Sequence, residues 1–275
     1  GKSCVLTGTI VKGNVRVGKG ASLIVTDGTL QGAVRVAPNG YLDTTSTNIA
    51  DTVVVRDGYG AYLNATSLQG GVVARPGQST VNGFVDIDGS TVAGNVVSRS
   101  AQVRIEGAQV SGNVTTNGAG YTDVYSSFVD GRVRAEGNAL GGVICGSAIQ
   151  GSTAYVDSEG AVQLGADGPV AACNGPGSFF ADTVRVRGTT GGVYVDNAIV
   201  NADLVLRGND PIAHVGETAL VRGTIRGDYE PADQHPAQRI AVPTAQQRAI
   251  RLDQRIDHRR ARATADAQAA GRAHL

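Results

Sequence analysis

The sequence predicts an all-β protein, a single right-handed parallel β-helix of about eleven coils, with a short helical tail. Three observations carry that expectation. A motif typified by VSGNV at residues 110–114 recurs along the chain, mostly at intervals of 18–21 residues. Apolar residues hold fixed places around each copy. The composition suits a narrow core: aromatics make up 4% of 275 residues, Met and Trp are absent, and there are 39 glycines. Such a chain lacks the large side chains that fill a wide globular core, whereas stacked β-branched residues fill a slim one.

The repeat is anchored on Gly13, Gly32, Asp51, Gly70, Gly94, Gly112, Gly131, Gly151, Asp182, Ala202 and Gly223. Two residues before each anchor the chain is always large and apolar, from Val11, Leu30 and Ile49 through to Val221. Two residues after it stands an aliphatic side chain in all but one unit, where Thr153 is the exception. Seven residues before the anchor comes a further apolar column, interrupted at Thr44, Gly175 and Gly216. Fixed columns at this period are the mark of a solenoid. Inward residues would stack on their equivalents about 4.8 Å away in the next coil. The apolar places do not recur every sixth residue, which argues for the right-handed form over the hexapeptide left-handed one. Glycines are expected where the chain bends sharply or takes a positive φ. Asn14, Asn95 and Asn113, each following an anchor glycine, are expected to serve the turn by bonding nearby backbone or a stacked neighbour.

The domain boundaries follow. Residues 1–230 form the β-helix. Residues 231–243, Pro-rich and without a period, read as a linker or strap. Residues 244–275 read as a basic amphipathic helical tail, with Ala245, Ala249, Leu252 and Ile256 on one stripe. The basic side chains Arg255, Arg259, Arg260 and Arg262 are the tail's candidate contacts, expected to dock on the rod or on a neighbour. An anionic polymer is the alternative partner for them.

The runs GNVRVGKGASLIVTDGTLQGAVRV (13–36) and CVLTGTIVKGNVRV (4–17) resemble two groups. One is the bactofilins, cytoskeletal proteins with a right-handed β-helix core that polymerises end to end. The other is a group of secreted actinobacterial β-helix repeat proteins. The resemblance covers about residues 1–230. It implies self-association for the first group and a secreted or cell-surface place for the second; a cytoplasmic cytoskeletal place is the alternative.

Function is sought where the repeat is irregular. A 24-residue unit contains RPGQSTVNG (75–83), and a 31-residue unit contains GADGPVAACNGPGS (165–178). Insertions in a solenoid emerge as loops on one side. Cys145 and Cys173 flank the second insertion and would pin it with a disulfide in an oxidising compartment. Cys4 falls in an inward column and reads as a free thiol.

One outward face concentrates charge. Eight and six residues before successive anchors come Asp86 and Asp88, then Arg104 and Glu106, then Asp123 and Tyr125. Neighbours in such a column lie about 5 Å apart. Two carboxylates at that distance can serve retaining glycoside hydrolysis or hold Ca²⁺. With Arg104 between Asp86 and Asp123, the same residues also make an alternating charge ladder. Tyr59 and Tyr62 would form a small aromatic patch or pack into turns. No His or Cys spacing suggests a metal site, and no cofactor is expected.

Formal net charge is zero, which implies no strong pull on nucleic acid or a membrane. Residues 231–275 nonetheless hold eight Arg against four Asp. No stretch is apolar enough to span a bilayer. The start at Gly1 fits a processed secreted protein and equally a trimmed chain. The function expected from these features is non-enzymatic: a rigid secreted or surface rod that self-associates as a filament or multimer, or presents a binding face. The alternative is a polysaccharide-binding or polysaccharide-cleaving β-helix acting on a glycan or cell-wall polymer.

Overall fold

Each coil forms three short strands because its sequence supplies three apolar-polar alternations separated by turn residues. In the first coil these are Ser3–Thr7, Ile10–Val11 and Val15–Val17. The structure is a computed structural model that describes residues 2–76, 83–166, 168–173, 175–231 and 243–271. Among these residues the strands assemble into three parallel sheets of twelve, eleven and eleven strands, a β-solenoid of about twelve turns. Every strand pairs with its equivalents in adjacent coils. The twelfth strand of the first sheet, Tyr229–Pro231, adds a partial turn to the eleven coils expected.

The core is the set of inward columns. Val11 pairs in register with Leu30, and Leu30 with Ile49, so these side chains stack along the axis. In the first sheet Leu6, Val25, Thr44, Leu63 and Ile87 stack likewise. Thr44 is tolerated inside because its hydroxyl meets that of Thr66 at 3.0 Å. The apparent breaks at Gly175 and Gly216 are not breaks. The column continues from Ile144 to Leu164, Val195 and Val215. The long insertion lies between Leu164 and the next strand, so counting back from the anchor misses Leu164.

The anchor glycines stand at bends, as expected, and Gly13 also takes a positive φ (81°), but a further constraint acts on the rest. Left-handed backbone occurs at the corner between the first and second sheets, as at Gly107 (φ 58°), and there Asp27, Ser46 and Ser126 also adopt it. Gly112 has no positive φ. A Cβ there would lie 2.5 Å from the carbonyl oxygen of Gly94 and 2.7 Å from the amide nitrogen of Asn95 in the preceding coil. Glycine stands at this corner because the backbones of successive coils nearly touch. The asparagine beside it completes the corner. Asn95 Oδ1 accepts the N–H of Asn113 at 2.7 Å, and Asn113 Oδ1 accepts that of Arg132 at 3.0 Å. Gly112→Ala is therefore expected to cost about 1–3 kcal/mol, as overpacking against backbone does. Urea unfolding measures it, and an unchanged midpoint would refute the close-approach account.

The tail is an α-helix, α1 (Ala245–Ala270), that begins with a capping box. Thr244 accepts the N–H of Gln247, and Gln247 Oε1 accepts the N–H of Thr244. At about 1.5 Å per residue its 26 residues span about 39 Å. It runs along the outer face of the first sheet, from the coil of Val143 back to the first coil, where Ser3 bonds Asp266. The part of the linker at 232–242 lies outside the described residues.

Candidate functional site

The charged residues anticipated on the outward face of the first sheet stand in register, but most are covered. Asp43, Tyr62, Asp86, Arg104 and Asp123 follow one another in register, one per coil. They point outward, yet Asp43 and Asp86 are fully buried and Asp123 nearly so. The cover is α1, whose buried side chains are Ala245, Arg248, Leu252, Ile256 and Ala263.

Three ionic clusters tie helix to sheet. Arg248 reaches Asp123 with Nη2 at 2.9 and 3.0 Å, while the Val143 N–H donates to the same carboxylate at 3.0 Å. Arg104 grips Asp86 through Nε at 2.9 Å and Nη2 at 2.8 Å, and its Nη2 also donates to Asp253 of α1 at 2.7 Å. Arg260 bonds Asp43 at 2.9 Å, where the Tyr41 hydroxyl donates at 2.7 Å. Burial pushes the Asp86 carboxyl up to about 6, against the opposing pull of Arg104. It raises Asp123 too, against Arg248. Burial disfavours the Arg104 cation, but the hydrogen bonds and charges of Asp86 and Asp253 outweigh this and hold its pKa above the ordinary value.

The remaining face residues sit beside the helix. Asp88 is half-buried and accepts from Asn64 Nδ2 at 2.9 Å and the Tyr62 hydroxyl at 3.2 Å. Glu106, its register partner, is exposed. Tyr125 is half-buried against Val143 and Cys145. α1 covers the column of Asp43, Asp86 and Asp123, whereas Asp88 and Glu106, opposite each other in register, lie beside it.

Between the ionic clusters lies an aromatic one. Tyr41, Tyr59 and Phe84 pack at 5.8–6.2 Å between centroids under Leu252 and Ile256. Gly60 makes room for the Phe84 ring, which a Cβ there would strike. Of the tail arginines, Arg255 lies 5.2 Å over the Tyr59 ring. Arg259 lies 5.0 Å over the same ring and donates to Ser22 Oγ at 3.0 Å. Arg262 is exposed.

Cys145 and Cys173 are bonded. The insertion they pin is also clamped by Gln163, which accepts from the Val170 and Ala171 N–H groups and donates to the Ala171 carbonyl. The Val170 carbonyl in turn accepts the Ala245 N–H at 2.8 Å, so the pinned loop seats the start of α1. Cys4 is free and half-buried, in register with Leu23. Of the other insertion, residues 77–82 lie outside the described residues. Among the described residues no cluster of His, Cys, Asp or Glu is placed to hold a metal ion, and no helix is long and apolar enough to cross a membrane.

These features define a class: a parallel β-solenoid with a helical strap ion-paired along one sheet. Comparison with known families, curated proteins and solved structures finds no match. No comparison supports the resemblance to bactofilin cores or actinobacterial repeats; the parallel β-solenoid is what is shown.

Proposed function

We propose that this protein is a non-enzymatic structural element, a rigid rod whose copies stack head to tail. The observation that supports this most is the unbroken parallel pairing of coil on coil through all three sheets, a stiff stack whose register a further coil of the same kind extends. In the first coil described, Ile10 is 64% exposed beside a hollow of about 450 Å³ among Cys4, Leu6, Val11, Val15 and Leu30. At the other end Leu220 is 52% and Tyr229 42% exposed.

Charge gives the stacking a direction. Lys2, Lys12 and Lys19, the only lysines in the chain, share the first 26 residues with Arg16 and with no acid. Residues 210–231 hold Asp210, Glu217, Asp228 and Glu230 against Arg222 and Arg226. Two basic ends repel, whereas a basic end meets an acidic one favourably. The pattern shared with bactofilin cores, which polymerise end to end, agrees. The Cys145–Cys173 disulfide suits an oxidising compartment, secreted or at the cell surface.

Electron microscopy and sedimentation at low salt test this. Multimers or filaments that shorten as salt rises are expected, and Lys2→Glu, Lys12→Glu and Lys19→Glu together should leave single rods with native circular dichroism. Monodisperse wild-type rods at every concentration would overturn the reading.

A further inference from the structure

The third sheet carries charge in a way the first does not. On the first sheet Arg104 stands between two aspartates. On the third, arginine faces arginine. Arg16 is directly opposite Arg35, and Arg56 directly opposite Arg75, each pair on adjacent coils. Arg99 follows in the next coil, and Arg187 opposite Arg207 repeats the arrangement farther along. Like charges facing one another across strands are destabilising. No ion pair relieves these seven arginines among the described residues, and all are exposed. A solvated face needs no such pairs, and a local rule broken without a structural return marks a site.

The geometry agrees. Arg16, Arg35, Arg56 and Arg75 line one groove of about 790 Å³ that crosses four coils, walled in part by Pro38 and Pro76. Asp57 is the single acid lining it among the described residues. The cations form two short columns on one outward face, Arg16 with Arg35 and Arg56 with Arg75, offset by two residues along the strand because Arg35 stands opposite Val54. Within each column they advance at about the 4.8 Å coil spacing, and together they make a band of forked donors matched to a linear chain bearing an anionic group on successive units.

We propose that this groove binds a linear acidic polysaccharide lying along the axis, its carboxylates held by guanidinium forks. Arginine suits carboxylate because its planar donors bond both oxygens at once. Single-stranded nucleic acid is the competing polyanion, and it is held elsewhere by aromatic side chains that stack on bases. Among the described residues the groove has no aromatic lining residue. The groove begins at Val15 and Arg16 of the first coil, which also border the end hollow, and runs on to Arg56 and Arg75 in the third and fourth coils, away from that end.

The test uses the full chain with polygalacturonate, neutral dextran and single-stranded DNA of matched length as probes. Polygalacturonate should bind, more weakly as salt rises, and dextran should not. Arg56→Gln with Arg75→Gln should weaken binding about tenfold or more, the scale of one lost charge-assisted hydrogen bond. The thermal midpoint of that variant should be unchanged or raised, because a repulsion is removed, and its assembly state should not change. Arg222→Gln, a single charge loss outside the groove, should bind as wild type. Absence of polygalacturonate binding, equal weakening by Arg222→Gln, or tighter binding of the DNA would each overturn the proposal.

Discussion

Arg248→Ala is expected to destabilise the docked helix by about 3–5 kcal/mol, the cost of removing one partner from a buried ion pair. The size comes from what is left behind. Asp123 would keep a single backbone donor, the Val143 N–H, in a site closed to water. Arg248 also caps the Leu140 carbonyl at 3.0 Å and lies 5.0 Å over the Tyr121 ring, so the alanine loses packing as well as charge. The pair itself need not be a source of net stability, because taking both charges out of water offsets their attraction. Desolvation raises the Asp123 and Asp86 carboxyls in spite of their arginine partners, while the same pairing holds Arg248 and Arg104 above their ordinary value. Replacing both members, Asp123→Leu with Arg248→Met, should therefore recover most of the loss. Helical circular dichroism during urea titration measures both. A double variant as weak as Arg248→Ala would show that the pair contributes favourably after all.

The same reasoning fixes a pH dependence with an unusual sign. The Asp86 carboxyl titrates near 6 when folded, above its unfolded range near 4. Between those values the folded chain holds a proton that the unfolded chain has released. Stability from this group is thus full below about 4 and is lost as pH rises towards about 6. Acidification from pH 7 to 5 should raise the urea midpoint or leave it level, and Asp86→Asn should flatten the response. A wild-type midpoint that falls over this range would contradict the dominance of desolvation.

The solenoid was legible because its information is local and repeated. Val11, Leu30 and Ile49 each sit two residues before an anchor, and parity alone sends them inward. Where the count between strands changed, the reading slipped, as at Gly175, whose place in the stack belongs to Leu164. The anchor glycines were read correctly as bends, but the close approach of successive coils that also demands them was not legible, because a turn glycine and a close-approach glycine leave the same mark in sequence. The charged face was found for the same reason as the core: Asp86, Arg104 and Asp123 share one parity. What covers it was not legible. Arg248 and Asp123 are 125 positions apart, and no periodicity links a helix to the coils beneath it. The helical stripe pointed to Ala249, whereas buried Arg248 is the residue that docks. An arginine among small apolar residues signals a docked face only once an acid of the opposite surface is known.

Phe84→Ala should have an effect of similar size, about 3–5 kcal/mol for an emptied aromatic site, and its consequences separate the two parts of the molecule. Phe84 is fully buried although it points away from the solenoid core. Its ring fills the gap over Gly60 and packs against Tyr41 and Tyr59, and the Arg255 guanidinium lies 5.2 Å above it. Leu252 and Ile256 close the same cluster from the helix side. The inward neighbours of Phe84, Val85 and Ile87, belong to stacks that continue above and below and do not depend on the ring. The loss should therefore fall on α1 rather than on the coils. Amide hydrogen exchange is expected to speed up across 245–270 and in the strand faces beneath, while the second and third sheets keep their protection. Uniform loss of protection through all three sheets would mean that the strap and the solenoid fold as one cooperative unit, and that the ionic face is part of what holds the rod together.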